Sequence, residues 1–468
     1  MGVGAEPRVV GRRGVAAGHL VHHPLDLLEE VSERIVAVVS VHTSREVGDP
    51  DKPSVGRRFG RYPLRAEGAT SDVERARATR ADRDRRRSPT PTVTNSNDYD
   101  GLGATGPDLS SCGSLFSNMS KSYLAAGDDV SDDEVVRVGL NGFGRIGRNV
   151  FRAVLENPRI ELVGINDVMD FDDMGYLAKY DTVMGRLDGV ERDGDELTIG
   201  GTSVPLFNVQ DPADLPWDEL DVDVALECTG IFRTRDDASA HLDGGADTVI
   251  ISAPPKGEKP VKQLVYGVNH DEYEGDDVIS NASCTTNSIT PVAKVLDAEF
   301  GIDAGTLTTV HAYTGSQSLI DGPMGKRRRG RAAAENIVPT STGAAGAAQE
   351  VLPQLEGKID GMAMRVPVPT GSITEFVVSL DEDVTAEEVN AAFRDAADSG
   401  PLAGVLGYTD DEVVSSDIVG LPFSSYVDLQ STNVIAGGKL VKILTWYDNE
   451  YGFSNRMLDM AAYVHDEA

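Results

Sequence analysis

"VVRVGLNGFGRIGRNVFRAVLENPRIELVGIND", residues 135–167, decides the fold class. Residues 135–141 are mostly β-branched or apolar and run into glycine, which reads as a buried strand. Residues 144–157 then place Ile146, Val150, Phe151, Val154 and Leu155 on one helical stripe. Residues 161–167 return to a strand. Between the first strand and the helix stand Gly142, Gly144 and Gly147, a GxGxxG turn. The first glycine permits a tight turn, the second lets a pyrophosphate approach the backbone, and the third lets helix pack on strand. The helix N-terminus adds N–H donors and partial positive charge. Phe143, Arg145 and Ile146 complete this candidate cofactor turn. Asp167 ends the next strand, 20 residues past Gly147. A carboxylate there accepts hydrogen bonds from the adenosine ribose and repels a 2′-phosphate, so NAD is favoured over NADP. The small Val168 beside it leaves some room for NADP. A glycine turn that only packs is the plainer alternative, and the surrounding strand–helix–strand pattern with Asp167 argues against it.

Outward from this unit the alternation continues. Residues 221–227, 247–254 and 262–269 read as further strands. Strands alternating with helices imply an α/β fold, a doubly wound parallel sheet of Rossmann type. After residue 284 the texture changes. Residues 306–315, 363–380 and 440–452 are long strands with period-2 character. Residues 385–400 form an amphipathic helix with Thr385 as N-cap and Gly400 past its end. These elements predict an α+β catalytic domain with a mostly antiparallel sheet. The expected division is 135–283 for the dinucleotide domain and 284–450 for the catalytic domain. A terminal helix over 451–468 is expected to pack back on the first. No internal repeat is visible.

The run "SNASCTTN", residues 280–287, holds one cysteine, Cys284, at the mouth of a helical stretch. A helix N-terminus stabilises a thiolate. His311, 27 residues on, supplies a proton acceptor, so the two make a nucleophile and base. A packed core cysteine is the ordinary alternative, but Ser283, Thr285, Thr286 and Asn287 make a polar shell unlike a core. Cys228, in "ALECTG", reads as the buried kind.

Charge divides the chain in two. Residues 1–100 hold 17 Lys and Arg against 15 Asp and Glu, whereas the remaining 368 hold 26 against 61. A body this acidic argues against a nucleic-acid or anionic-membrane binder. With only 11 lysines, it suits a cytoplasmic protein kept soluble in concentrated salt, where screening blunts self-repulsion. Three cysteines with no regular spacing give neither a disulfide framework nor a metal pattern, so no metal is expected. No apolar run reaches membrane-spanning length. Arg12-Arg13 faintly resembles a twin-arginine export signal, but His19, His22 and His23 interrupt the apolar stretch behind it. Residues 1–118 lack periodicity, are Arg-rich over 65–94, and read as disordered. They are expected to be an upstream reading-frame extension, with Met119 as the native start and 119–134 as an acidic lead-in. A basic arm that recruits a partner is the alternative.

Six motifs stand in order: "NGFGRIGR", "SNASCTTN", "HAYTG", "AAAENIVPTSTGAA", "GMAMRVPVP" and "WYDNEYGFSNR". From about residue 135 to the end the chain resembles phosphorylating glyceraldehyde-3-phosphate dehydrogenases, and the resemblance does not cover residues 1–134. It implies glyceraldehyde 3-phosphate and inorganic phosphate as substrates, NAD as cofactor and a homotetramer. Cys284 would attack the aldehyde to form a thiohemiacetal. His311 would take the hydroxyl proton and hold the thiolate as an ion pair. Phosphate would cleave the resulting thioester. The same resemblance makes Arg365 and Thr314 ligands of the substrate phosphate. It makes Ser283, Thr285, Thr342, Gly343 and Arg329 ligands of inorganic phosphate, with Arg329 drawn from the basic run 326–331. Asn449 would hold the nicotinamide carboxamide, and Ser252 joins the cofactor set. Pro323, after Asp321-Gly322, would crowd a 2′-phosphate. Phe453 replaces a usual tyrosine, and its ring can still shield the nicotinamide. Ser288 replaces a second cysteine common in the family.

Three rivals remain in view. An erythrose-4-phosphate dehydrogenase shares the thiol, base and cofactor turn but differs in the phosphate sites. A thiol hydrolase needs no dinucleotide turn. An RNA-binding scaffold using the arginine cluster conflicts with the acidic body.

Overall fold

The computed structural model describes residues 134–199 and 201–468. The expectations placed on residues 1–118 and on the lead-in up to 133 lie outside these residues.

The first sheet grows from β1 (Val136–Asn141), which leads through the glycine turn into α1 (Arg145–Val154) and back to β2 (Ile160–Asn166). It continues with β3 (Thr202–Phe207), β4 (Val224–Glu227), β5 (Thr248–Ile251), β6 (Lys262–Gln263) and β7 (Val278–Ser280). In space the order is β6-β7-β5-β4-β1-β2-β3, all parallel. Residues 191–199 add an antiparallel ribbon beyond β3. The strand order reverses between β1 and β4, so the crevice for a ligand opens at the carboxyl ends of these two strands.

Period-2 alternation puts Val138 and Leu140 into one core layer and turns Gly139 toward the ring of Trp217 in the other. β4 and β5 are buried at every position, as strands covered on both faces must be. The reading of residues 262–269 as one strand needs correction: only Lys262–Gln263 pair. Asn269 turns back on the segment, its Oδ1 accepting from Val265 N at 2.8 Å and its Nδ2 donating to Gln263 O at 3.1 Å. Gly267 at φ +79° completes the reversal.

The second sheet follows α2 (Cys284–Phe300). Its strands are β8 (Ile302–Ala312), β9 (Val338–Ser341), β10 (Ile359–Val366), β11 (Ser372–Leu380), β12 (Leu406–Thr409), β13 (Ser425–Asp428), β14 (Asn433–Ile435) and β15 (Leu440–Tyr447). The order is β9-β10-β8-β11-β15-β13-β12, with β14 also on β15. Only β8/β10 and β12/β13 are parallel. The stretch 363–380, expected as one strand, is two strands separated in space by β8. Pro367 and Pro369 cannot donate to a ladder, and Gly371 takes a positive φ of +83°. β11 alternates residue by residue, burying Ser372 and Thr374 at one end and Phe376, Val378 and Leu380 at the other. Its polar end lies beneath the candidate site.

α3 (Ala344–Val351) and α4 (Ala386–Asp398) pack with α2 on the second core. Thr385 caps α4 in a reciprocal box with Glu388. α5 (Tyr451–Asp466) returns to the first sheet, where Met457, Leu458, Met460 and Ala461 share a core with Val138 and Leu140. Arg159 fastens its far end by an ion pair to Asp466 at 2.7 Å. Among the described residues, no helix is long and apolar enough to cross a membrane.

Candidate active site

The polypeptide leaves β7 at Ser280 and turns through Ala282, fully buried at φ +55°. A left-handed alanine is sterically costly, and such strain persists only where the surroundings hold it. Here Ser280 Oγ accepts from Ala282 N at 3.0 Å and donates to Ala253 O at 2.8 Å. Ser283 then caps α2, its Oγ accepting from Thr286 N at 3.1 Å. Cys284 is therefore the first helical residue, half-buried.

β8 brings His311 to it, with Nε2 3.4 Å from Sγ. His311 Nδ1 lies 2.7 Å from Ala312 O, which can only accept. A proton on Nδ1, donated to Ala312 O, leaves the Nε2 lone pair facing the thiol, the tautomer a base needs, while Arg365 Nη1, 3.0 Å from the same nitrogen, then donates to Ala312 O as well. Tyr447 packs edge-on against the imidazole, centroids 5.9 Å apart.

The electrostatics of the pair follow from burial and from Arg365. Burial pushes the Cys284 thiol up, while the Arg365 charge and nearby hydrogen bonds at Thr285 pull it down. Burial first, and then Arg365, push His311 down to about 3. Burial disfavours charge on both groups, whereas Arg365 favours the thiolate and opposes the imidazolium. Of the polar shell, Thr285, Thr286 and Asn287 are buried and Ser283 is half-buried. Part of it is spent on the fold, as where Asn287 Nδ2 donates to Asn281 O at 2.8 Å.

Two arginines face this pair. Arg365 on β10 lies opposite His311 in the ladder. Its Nη1 approaches His311 Nδ1 and donates to Ala312 O, both at 3.0 Å, and reaches Thr314 Oγ1 at 3.3 Å. Its Nε is buried with no partner. Arg329 Nε donates to Thr340 Oγ1 at 3.1 Å, and its charge weighs on both His311 and Arg365. Within the basic run, Arg329 is half-buried, whereas Arg327, Arg328 and Arg331 are exposed. Among the described residues neither Arg329 nor Arg365 pairs with a carboxylate, in a chain of formal net charge −33. Mutually repelling guanidinium groups without an acid, one with an orphaned buried N–H, are the chemistry of an anion site. Gly343 caps α3, with Thr342 Oγ1 accepting from Ala344 N at 3.1 Å. Thr285 differs from the expectation of a phosphate ligand: its hydroxyl turns inward to Tyr447 OH, 3.0 Å away.

At the crevice the three glycines separate in role. A Cβ on Gly142, at φ +98°, would lie 2.5 Å from Thr229 N, and one on Gly147 would strike Gly142 O. A Cβ on Gly144 would meet nothing within 4 Å, leaving the open approach that a pyrophosphate needs. Asp167 accepts from Phe143 N at 2.6 Å and from Met169 N at 3.0 Å, so it braces the turn as well as facing the crevice. Ile146 O is contacted by Ser454 Oγ of α5 at 3.4 Å. The Arg145 guanidinium is committed elsewhere, to Glu450 at 3.0 Å and to Asp181. Burial opposes its charge, and hydrogen bonds to Glu450 and Asp181 outweigh that, raising its pKa. Only its backbone remains for a cofactor. Ser252 shares a hydrogen bond with Cys228, whose thiol burial pushes up to about 12.

Asn449 Oδ1 accepts from Ser372 Oγ at 2.8 Å and from Thr370 Oγ1 at 3.3 Å. Ser372 Oγ itself accepts from Ala312 N, which fixes the amide with Nδ2 left to donate outward. Phe453 differs from the expected nicotinamide shield: its ring is 4% exposed and belongs to the first core. Sequence reasoning missed Tyr447, Glu450 and Glu227, all buried polar groups whose partners lie far along the chain. No group of His, Cys, Asp and Glu among the described residues could hold a metal.

A dinucleotide crevice of Rossmann form beside a thiol at a helix N-terminus, a facing imidazole and arginines without a carboxylate partner marks an NAD-dependent dehydrogenase. Residues 136–235 match the family model for the glyceraldehyde 3-phosphate dehydrogenase NAD-binding domain, and residues 283–449 match the C-terminal domain of the same family. A glyceraldehyde-3-phosphate dehydrogenase of Haloarcula vallismortis is 72% identical over 333 residues, covering 71% of this chain and 98% of the relative. Enzymes of the same name from Streptomyces coelicolor and Bacillus subtilis are 54% and 52% identical, over 71% and 70% of this chain and 99% and 98% of theirs. The chain belongs to the glyceraldehyde-3-phosphate dehydrogenase family. Its reaction is the oxidation of glyceraldehyde 3-phosphate with NAD. The erythrose-4-phosphate, hydrolase and RNA-scaffold readings gain no support from these relatives.

Proposed function

We propose that Cys284 is the nucleophile and His311 the base of this reaction, and that inorganic phosphate is the acceptor of the acyl group. The single observation carrying the reading is the 3.4 Å approach of His311 Nε2 to Cys284 Sγ at the N-terminus of α2. Sγ attacks the aldehyde carbon as its proton passes to Nε2, and Nε2 hands that proton to the new oxyanion, giving a thiohemiacetal with His311 neutral again. The backbone N–H groups at the start of α2 face the developing oxyanion. His311 then takes the hydroxyl proton, and NAD, when bound, accepts the hydride. The thioester left on Cys284 is cleaved by phosphate to an acyl phosphate, returning the thiolate as leaving group.

Arg365 and Thr314 hold the phosphate of the substrate. Arg329, Ser283, Thr342 and Gly343 hold the attacking phosphate, with Thr285 contributing through its backbone. The turn 142–147, Asp167, Ser252 and Asn449 hold the cofactor. Residues 135–283 serve as the dinucleotide domain and 284–450 as the catalytic domain. Exposed Leu319, Ile320 and Ile337 near the arginine loop fit a face covered by a second copy, in keeping with a homotetramer. The acidic composition and the Haloarcula relative support a cytoplasmic protein of a salt-rich cell.

The test is NADH formation in molar KCl with glyceraldehyde 3-phosphate and NAD, with and without phosphate, for the full chain and for Cys284→Ser. Phosphate-dependent reduction lost in the variant is expected. Reduction that ignores phosphate would move the product to a free acid.

A further inference from the structure

β1, β2 and β4 end in polar residues although the positions before them are largely apolar. Asn141, Asn166 and Glu227 are the last residues of their strands, and all three are buried. They are also register partners: Glu227 stands opposite Asn141, and Asn141 opposite Asn166. The three therefore form a transverse row at the switch point. Each is followed directly by a segment of the crevice: Gly142 after Asn141, Asp167 after Asn166, and Cys228-Thr229 after Glu227.

The row behind it explains what lies above. Gly139, Gly164 and Ala225 are partners in the same ladders. They carry at most a methyl, and the fully buried Trp217 indole lies over them. A Cβ on Gly139 or Gly164 would come within 3.1 or 3.0 Å of its ring. Trp217 Nε1 donates to His241 Nδ1 at 3.0 Å. An indole nitrogen can only donate, so the His241 proton sits on Nε2 and points to Glu227 Oε2, 3.2 Å away. Asn141 Nδ2 donates to the same oxygen at 2.6 Å. Glu227 Oε1 accepts from Thr229 N at 2.8 Å and from the Thr229 hydroxyl. Asn166 Nδ2 donates to Asn141 Oδ1 at 2.7 Å, and Asn166 is tied in turn to Val209 N and O. One carboxylate thus receives four donors, and every donor along the chain has a fixed direction.

We propose that Glu227 and His241 are positioning residues for the NAD crevice: the Glu227 carboxylate, oriented by His241 and Trp217, ties together the starts of the three loops that receive the dinucleotide. The requirement is geometric. The Thr229 N–H lies where a Cβ on Gly142 would be 2.5 Å away, so a shift of Thr229 closes or opens the glycine turn itself. Only a carboxylate offers acceptors on both oxygens. An amide at 227 turns one NH2 against Asn141 Nδ2 and His241 Nε2, donor against donor.

The test uses the full chain and a direct titration with NAD. Glu227→Gln is expected to weaken NAD binding about 10-fold, because the turn is displaced from its receptive geometry. KM for NAD should rise alike, with kcat at saturating NAD and the alkylation rate of Cys284 in NAD-free protein little changed. Asn141→Asp combined with Glu227→Gln returns an acceptor to the row and should restore most of the affinity. His241→Leu should weaken NAD as Glu227→Gln does, and His241→Gln, which keeps an acceptor and a donor, should not. His241→Leu also serves if Glu227→Gln does not fold. Wild-type affinity in folded Glu227→Gln or His241→Leu overturns the proposal. So does a loss of kcat, alkylation and binding in parallel that the double variant fails to rescue. Failure of the wild type to bind NAD would instead refute the cofactor reading itself.

Discussion

Gly144 and Gly147 belong to one motif, yet replacing each by alanine should break different things. A methyl on Gly147 would overlap Gly142 O and lie 3.0 Å from its carbonyl carbon. Both neighbours are backbone, so no side chain can swing away. Overpacking of this kind costs about 1–3 kcal/mol, and in a large domain this lowers the melting temperature by roughly 2–12 °C. Gly144 sits at φ −71° and ψ −157°, which any residue adopts, with nothing within 4 Å of its Cβ position. Gly144→Ala should therefore melt at or slightly above the wild type. Its methyl instead occupies the space through which a pyrophosphate reaches the backbone. Losing two charge-assisted N–H contacts costs about 3 kcal/mol or more, so NAD should bind roughly 100-fold more weakly. Thermal unfolding without ligand and NAD titration of both variants separate the effects. Binding within about threefold of wild type by Gly144→Ala, or an unchanged melting temperature for Gly147→Ala, would refute this division of labour.

His311→Asn should lower kcat by about 10²–10⁴-fold while NAD affinity stays put, measured by steady-state rates and titration. The same variant tests the depressed imidazole. The folded-state pKa of about 3 lies below the ordinary 6.5, so the unfolded chain takes up the proton first as pH falls. Stability is lost across that window on acidification, and His311→Asn should lose less of it between pH 6.5 and 3; parallel melting curves would contradict the assignment. Arg365→Gln should raise KM for glyceraldehyde 3-phosphate much more than KM for NAD, and equal effects would place the anion site elsewhere. Thr385→Ala removes the cap of α4 and should destabilise the protein by about 1 kcal/mol in chemical denaturation without touching kcat.

The first sheet was legible because its strands are continuous apolar runs and its turn needs three glycines at fixed spacing. The site was legible where chemistry is carried by rare residue types in local order, as at Cys284 and His311. What failed locally failed for local reasons: residues 262–269 look like a strand, but the Asn269 side chain competes for the backbone groups a strand would pair. Phe453, on α5, shares a core with residues of β1 and α1 that spacing alone does not reveal.

The sequence by itself determined the parallel sheet, the glycine turn, the thiol at a helix mouth and the acidic body. These depend on periodicity, backbone conformation and charge, all short-range properties. Only the tertiary structure brought burial and the Arg365 charge to bear on Cys284 and His311, because Arg365 reaches them from the neighbouring strand. It alone also tied Glu227 to Asn141, Asn166 and His241. The strand pairing brings Glu227, 86 residues from Asn141, into hydrogen-bond distance of it, and no local pattern records that register.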